Sequence, residues 1–230
     1  MSINIPFQYI FAGLLLICSS AWAQDATLYR AQSSTLLLML HFELYESSKG
    51  DSRYFDNLMA SAKKLSMAVN DMHQPKLKQQ WALTAKHLSS ASVSIKRGGY
   101  LEPGKQQQFH GAIETVWADL IGEQKAFSAE QQLHLMVLQL GLRYLTNHYQ
   151  LAGEFNQLPM AEMANQVGEK LQQLQAQKPS ESLAKLLPRW RLLERFFTDQ
   201  QNTAVPYMVT RFTLDCSQEL TRRINQNGSS

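Results

Sequence analysis

Chemistry in this chain would have to come from its histidines, one glycine-rich turn, a lone thiol or a cluster of arginines. The histidines are His41, His73, His87, His110, His134 and His148. His110 has Glu114 one helical turn away, a spacing that places two metal ligands on one helix face. A two-metal carboxylate bundle needs Glu-x-x-His on two helices plus two further glutamates. Neither Glu-x-x-His nor His-Glu-x-x-His occurs, so the histidines read as surface or hydrogen-bonded residues and no metal site is expected. Gly99-Tyr100-Leu101-Glu102-Pro103-Gly104-Lys105 has the glycine-to-lysine spacing of a phosphate-cradling loop. Gln106 stands where that loop needs a hydroxyl for magnesium, and Pro103 removes a backbone donor. The segment reads instead as a hinge between two helices.

Nucleophilic chemistry finds no better footing. There is no Gly-x-Ser-x-Gly elbow for a serine nucleophile and no Cys-x-x-Cys-His for covalent haem. Cys216 falls in the apolar series Val205, Met208, Val209, Phe212, Cys216, Leu220. That series predicts a buried thiol, whereas a reactive one needs exposure and a nearby base or cation. The expectation is a non-enzymatic protein with no catalytic residues and no cofactor.

The region richest in interaction chemistry lies near the C-terminus. Arg189, Trp190, Arg191 and Arg195 flank Leu192-Leu193 and Phe196-Phe197, and Tyr207 and Arg211-Phe212 follow a short Gln/Asn-rich turn. Guanidinium groups grip planar oxyanions bidentately, and Trp and Arg anchor many protein interfaces. Arg189, Trp190, Arg191, Arg195, Tyr207 and Arg211 are therefore the candidate binding residues. The alternative is a core aromatic cluster whose arginines reach out to solvent. Charge placement favours attention to this region. Eight basic and five acidic residues lie between Lys178 and Arg223, the remainder balances at 14 of each sign, and the net charge is +3. Nothing marks a nucleic-acid-binding module.

The elements that must carry these residues are helices. Phe55, Leu58, Ala62, Leu65, Val69 and Met72 recur every three or four residues, which lays one apolar stripe along a helix. Leu77, Trp81, Thr84, Leu88, Ala91 and Ile95 repeat the rhythm after Pro75, as do Phe109, Ile113, Val116, Trp117, Leu120 and Ile121 after the hinge. Ser128 and Gln131 have capping-box spacing ahead of an apolar run from Leu133 to Leu145. Further helices are predicted at about 159–176, 181–199 and 204–225, with Pro159, Pro179 and Pro206 suiting first-turn positions. Pro188 either kinks the seventh helix or marks its start. No segment alternates in the manner of a strand. The expectation is an all-α antiparallel bundle of about eight helices.

Leu36 to Leu40 and Leu133 to Leu142 are apolar on more than one side, as helices packed on several faces must be. Each opens one half of the chain. Aligning Tyr45 with Tyr144 sets Leu36–Met39 against Leu135–Leu138, and each half later carries a Trp-bearing helix, at Trp81 and Trp190. The offset drifts from 99 to 109 residues between these pairs. Duplication of a four-helix unit accounts for the match, and so does the general likeness of any two helical bundles.

The N-terminus sets the compartment. Ile10 to Cys18 is a short apolar run closing on Ala21-Trp22-Ala23, which reads as a secretory signal peptide cleaved before Gln24. No Lys or Arg precedes Ile10, so the α-amino group alone supplies the positive end. The run is well short of the ~20 residues of a spanning helix, and Ile17 argues against lipidation at Cys18. The organisation expected is a signal peptide over 1–23, a first helical unit over 24–126 and a second over 127–230. The mature chain would be periplasmic, with Cys216 as its single thiol and no intramolecular disulfide.

A long apolar helix, a helix like Leu58 to Met72 and the Trp-bearing helix Leu77 to Ser89 together resemble the exported helical sensor module of type IV pilus chemotaxis transducers and nitrate sensor kinases. The likeness covers about the first half, with an echo at Trp190 to Phe212. The chain departs from that family in having no second membrane segment, no output domain and no clear ligand-binding motif over Gln24 to Phe42. The resemblance implies a detached helical binding or accessory module and transfers no functional residue. The function expected is that of a periplasmic binding or accessory protein acting on an envelope protein partner. The alternatives are a small-anion or small-ligand sensor or carrier, and a metal-binding bundle.

Overall fold

A computed structural model of the protein describes the backbone of residues 7–122, 127–145, 158–198 and 206–227. Side chains are described in those segments from Ala26 onward, excepting positions 206, 207 and 227. The described residues form eight helices and no strand: α1 Phe7–Ser47, α2 Ser52–Asp71, α3 Pro75–Gly98, α4 Pro103–Gly122, α5 Ala129–Leu145, α6 Met160–Gln177, α7 Glu181–Thr198 and α8 Pro206–Asn227. The protein is an all-α antiparallel bundle. The backbone of α1 runs unbroken from Phe7 past Ala23.

Local chemistry explains most helix ends. The Ser128 N–H donates to Gln131 Oε1 (3.0 Å) while the Gln131 N–H donates to Ser128 Oγ (3.2 Å), the reciprocal box expected at the start of α5. Asp51 Oδ1 accepts from the Arg53 N–H at 2.9 Å and opens α2. Between α1 and α2 the chain reverses through Lys49 and Gly50, at φ 57° and 91°. Gly99 ends α3 at φ 62°, its N–H returning to the Ile95 carbonyl at 2.7 Å. The segment with phosphate-loop spacing is thus a helix-to-helix turn, and Lys105 Nζ is held by Glu102 at 2.6 Å. Pro206 opens α8 as expected, but Pro159 precedes α6 by one residue and Pro179 precedes α7 by two. Pro188 lies inside α7 and does not start it. It sits on the solvent side, where water can serve the carbonyl left without its N–H.

The helices close into two rings. In the first, α1 packs on α2 and α4, and α3 also packs on both. In the second, α5 packs on α6 and α8, and α7 packs on the same two. Contact between α1 and α5 joins the rings. The interior accordingly holds two apolar clusters, and α5 serves both. Its Leu135, Leu138 and Leu142 belong to the cluster built from α1–α4. Its Leu133, Met136, Val137 and Leu140 belong to the cluster built with α6–α8. Two stripes on one helix are the reason its sequence is apolar on more than one side. At the α5–α8 crossing Gly141 lets the backbones close: a Cβ there would stand 2.8 Å from Thr213 Oγ1 and overlap its methyl group.

Trp81, Trp117 and Trp190 are all buried, at 8%, 1% and 3% exposure. Cys216 is buried as expected, and burial, with Glu219 and Asp215 nearby, pushes its thiol up to about 12, well away from reactivity. Met208 departs from the predicted stripe. It is 39% exposed, because α8 turns Val209, Cys216 and Leu220 inward and leaves Met208 on the outer edge. Val205 lies outside the described residues.

Candidate functional site

The six candidate binding residues do not share one environment. Arg189, Arg191 and Arg195 lie on the outer face of α7 and Arg211 on that of α8. Trp190 points inward beside Phe197, ring centroids 6.0 Å apart, so its indole belongs to the core and not to a contact rim. The side chain of Tyr207 lies outside the described residues. Arg189 bridges to Asp215 across the α7–α8 seam at 3.8 Å. Much of the remaining C-terminal charge is spent locally. Lys185 meets Glu181 at 2.6 Å, Arg222 meets Glu219 at 2.8 Å, and Lys178 meets Glu130 at 3.5 Å. Arg223 is buried and closes the α6–α7 turn, donating to Ser180 Oγ (2.7 Å) and the Lys178 carbonyl (3.1 Å). Among the described residues Arg191, Arg195 and Arg211 make no ion pair, and the exposed Leu192 and Met208 lie on the same two helices.

The histidines resolve differently. His110 faces Glu43 of α1, Nε2 to Oε1 3.3 Å, deep in the first ring. No group of three metal-ligating side chains occurs among the described residues. His148 lies outside them.

A cleft of about 550 Å³ opens where the two rings meet, between α1, α2, α5 and α8. Helical spacing puts its lining on one face of each element. Tyr29, Ser33, Leu37 and His41 follow at four-residue steps along α1; Asn57, Ser61, Lys64 and Ala68 follow at steps of four, three and four along α2; Leu214, Gln218 and Asn225 line it from α8. The floor is a chain of three buried polar groups drawn from three helices. The Tyr29 hydroxyl lies 2.6 Å from His134 Nδ1, and His134 Nε2 lies 2.6 Å from Ser217 Oγ. A second pair, His41 Nδ1 and Ser61 Oγ at 2.8 Å, lines the same cleft.

Burial sets the protonation of these groups. It pulls the His134 ring down to about 4, and burial with the Lys64 charge nearby does the same to His41. Both rings are neutral at pH 7. Burial also raises the Tyr29 phenol, which stays protonated. Among the described residues the charged lining groups are Arg30 and Lys64, with no Asp or Glu. Arg30 is shared with Asp71 at 3.5 Å, whereas Lys64 makes no ion pair among the described residues.

The Ser217–His134–Tyr29 chain has the outline of a nucleophile, a base and an orienting group. It is poorly equipped for displacement. A ring held near 4 resists taking the serine proton. A phenol stands where a carboxylate would stabilise the imidazolium. Ser217 also sits within α8, where neighbouring N–H groups are engaged in the helix and unavailable to a developing oxyanion. What the chain does well is hydrogen-bond.

Sequence reasoning missed this cleft. Its partners are separated by 105 and 83 positions, so no short motif carries them. One signal was present: Gln32-Ser33-Ser34-Thr35, four successive polar residues of α1 directly before the apolar run Leu36 to Leu40. All four are buried, which marks polar groups that need partners.

Compared with known proteins, the chain matches no family model, no curated protein and no solved structure.

Proposed function

We propose that the protein is an exported, non-enzymatic helical-bundle module that holds a small ligand in the cleft between its two rings. The observation that carries this reading is the cleft itself: about 550 Å³, inside the range of roughly 300–1,000 Å³ usual for small-molecule sites. Its floor is polar and neutral, its rim cationic. Because α1 and α2 come from one ring and α5 and α8 from the other, an occupant touches both and favours one arrangement of them. That suits a sensor or carrier, and it is compatible with the detached binding or accessory module that the resemblance to exported sensor modules implies. The short apolar run ending at Ala21-Trp22-Ala23 supports a periplasmic site of action. Among the described residues no helix is long and apolar enough to cross a membrane.

Ala60 lines the cleft and is exposed, so Ala60→Trp obstructs the site with little demand on the fold. In a thermal-shift screen of small metabolites, ligands that stabilise the native protein should fail to stabilise this variant, while its circular dichroism is unchanged. Stabilisation that persists in Ala60→Trp would place the ligand elsewhere.

A second reading, contact with an envelope protein, is favoured by the exposed Arg191, Arg195 and Arg211 beside Leu192 and Met208. Reversing Arg191 and Arg195 to Glu should leave helical content intact and alter stability by less than about 1 kcal/mol, since exposed charges contribute little to folding. The same variant should lose partner capture from an envelope extract. Unfolding of the variant would make these arginines structural, and undiminished capture would remove this face from consideration.

A further inference from the structure

We infer that the cleft selects a small oxyanion, a carboxylate or a phosphate, because its charge and its uncommitted protons both call for an acceptor-rich ligand; this rests on reading the cleft as the ligand site. The donor protons on the cleft floor outnumber the hydrogen bonds they make to one another. A Tyr29 hydroxyl, a neutral His134 ring and a Ser217 hydroxyl carry three donor protons between them. They make two hydrogen bonds to one another, at 2.6 Å each. One proton is therefore left over, and the direction of the chain decides only where it sits. If Tyr29 donates to Nδ1, the ring donates from Nε2 and the spare proton is on Ser217. If Ser217 donates to Nε2, the ring donates from Nδ1 and the spare proton is on Tyr29. Both residues line the cleft, so a donor is available to a ligand in either case.

His41 and Ser61 repeat the arithmetic with two protons and one bond at 2.8 Å. The spare donor is either the Ser61 hydroxyl or His41 Nε2–H. Lys64 adds a full positive charge without an ionic partner among the described residues, and Arg30 adds a second, shared with Asp71. With no carboxylate in the lining among the described residues, a cationic ligand would meet like charge. An oxyanion meets two cations and two ready donors, and charge-assisted hydrogen bonds are about twice as strong as neutral ones.

Isothermal titration of the full chain with inorganic phosphate, succinate, glucose and choline tests the inference. Phosphate or succinate should bind saturably, and which of the two binds tells the source. Lys64→Gln, an exposed substitution that keeps the fold, should weaken that binding by about tenfold or more, and Ala60→Trp should abolish it. Glucose or choline binding that Ala60→Trp abolishes and Lys64→Gln leaves unchanged would overturn the oxyanion class while keeping the cleft as a ligand site. Phosphate or succinate binding indifferent to both substitutions, or no saturable binding by any of the four, would overturn the class and the site together.

Discussion

Trp117→Ala should lower the stability of the protein by about 3–5 kcal/mol, the cost typical of removing a buried indole. Trp117 is 1% exposed and lies on the same face of α4 as Phe109, Ile113 and Leu120, all fully enclosed in the first apolar cluster. Its replacement by a methyl group leaves a cavity that helices on several sides cannot close by moving together. Against the roughly 5–15 kcal/mol that holds a native domain together, this is a large fraction. Urea unfolding followed by circular dichroism measures it directly. Trp190→Phe provides the contrast. The Trp190 Nε1–H is buried with no hydrogen-bond partner among the described residues, so replacing it with an apolar ring removes an unsatisfied donor and should cost far less. A neutral Trp117→Ala would mean that the α4 face is wrongly placed.

Acidification should destabilise the fold before the carboxylates titrate. His134 is 1% exposed, and its ring is held near 4 in the folded protein against 6.5 in an unfolded chain. Above about pH 6.5 neither state holds the proton, and the stability is fully present. Between 6.5 and 4 the unfolded chain takes up a proton that the folded one refuses, so stability falls as pH falls. The whole interval is worth roughly 3 kcal/mol for this one ring, and His41, lowered in the same direction, adds to it. Urea midpoints at pH 7.5, 5.5 and 4.5 should fall steadily in the native protein. In His134→Gln, which keeps a donor and an acceptor but cannot titrate, the slope should flatten even though the starting stability is lower. Parallel slopes in the two proteins would show that His134 is not the group responsible.

Periodicity was a sound guide wherever one helix answers one question. The stripe from Leu77 to Ile95 is buried throughout, and the Ser128–Gln131 box forms as its spacing required. The all-round apolarity of Leu133 to Leu142 announced a helix packed on two sides, which α5 is. Periodicity says which residues share a face and is silent on which faces oppose one another. Tyr29, His134 and Ser217 looked unrelated for that reason, since only the docking of α1 on α5 and of α5 on α8 brings them within hydrogen-bonding distance. Proximity in sequence groups Arg189, Trp190, Arg191 and Arg195 as candidate binding residues, with a core aromatic cluster and outward-reaching arginines as the alternative. Neighbours in sequence on a helix diverge by about 100°, so the arginines face water while the indole between them faces the core. The paired basic residues were equally hidden, because Arg223 meets Ser180 across 43 positions.

At stake is the proposed ligand site at the junction of the two rings. Amide nuclear magnetic resonance of the isotopically labelled full chain, titrated with whichever of phosphate and succinate binds more tightly, tests it most directly. Chemical-shift changes should concentrate at Tyr29 to His41 of α1, Asn57 to Ala68 of α2, His134 of α5 and Leu214 to Asn225 of α8, and saturate together. Changes centred instead on Arg189 to Arg195 and Arg211, with the cleft residues unmoved, would contradict it.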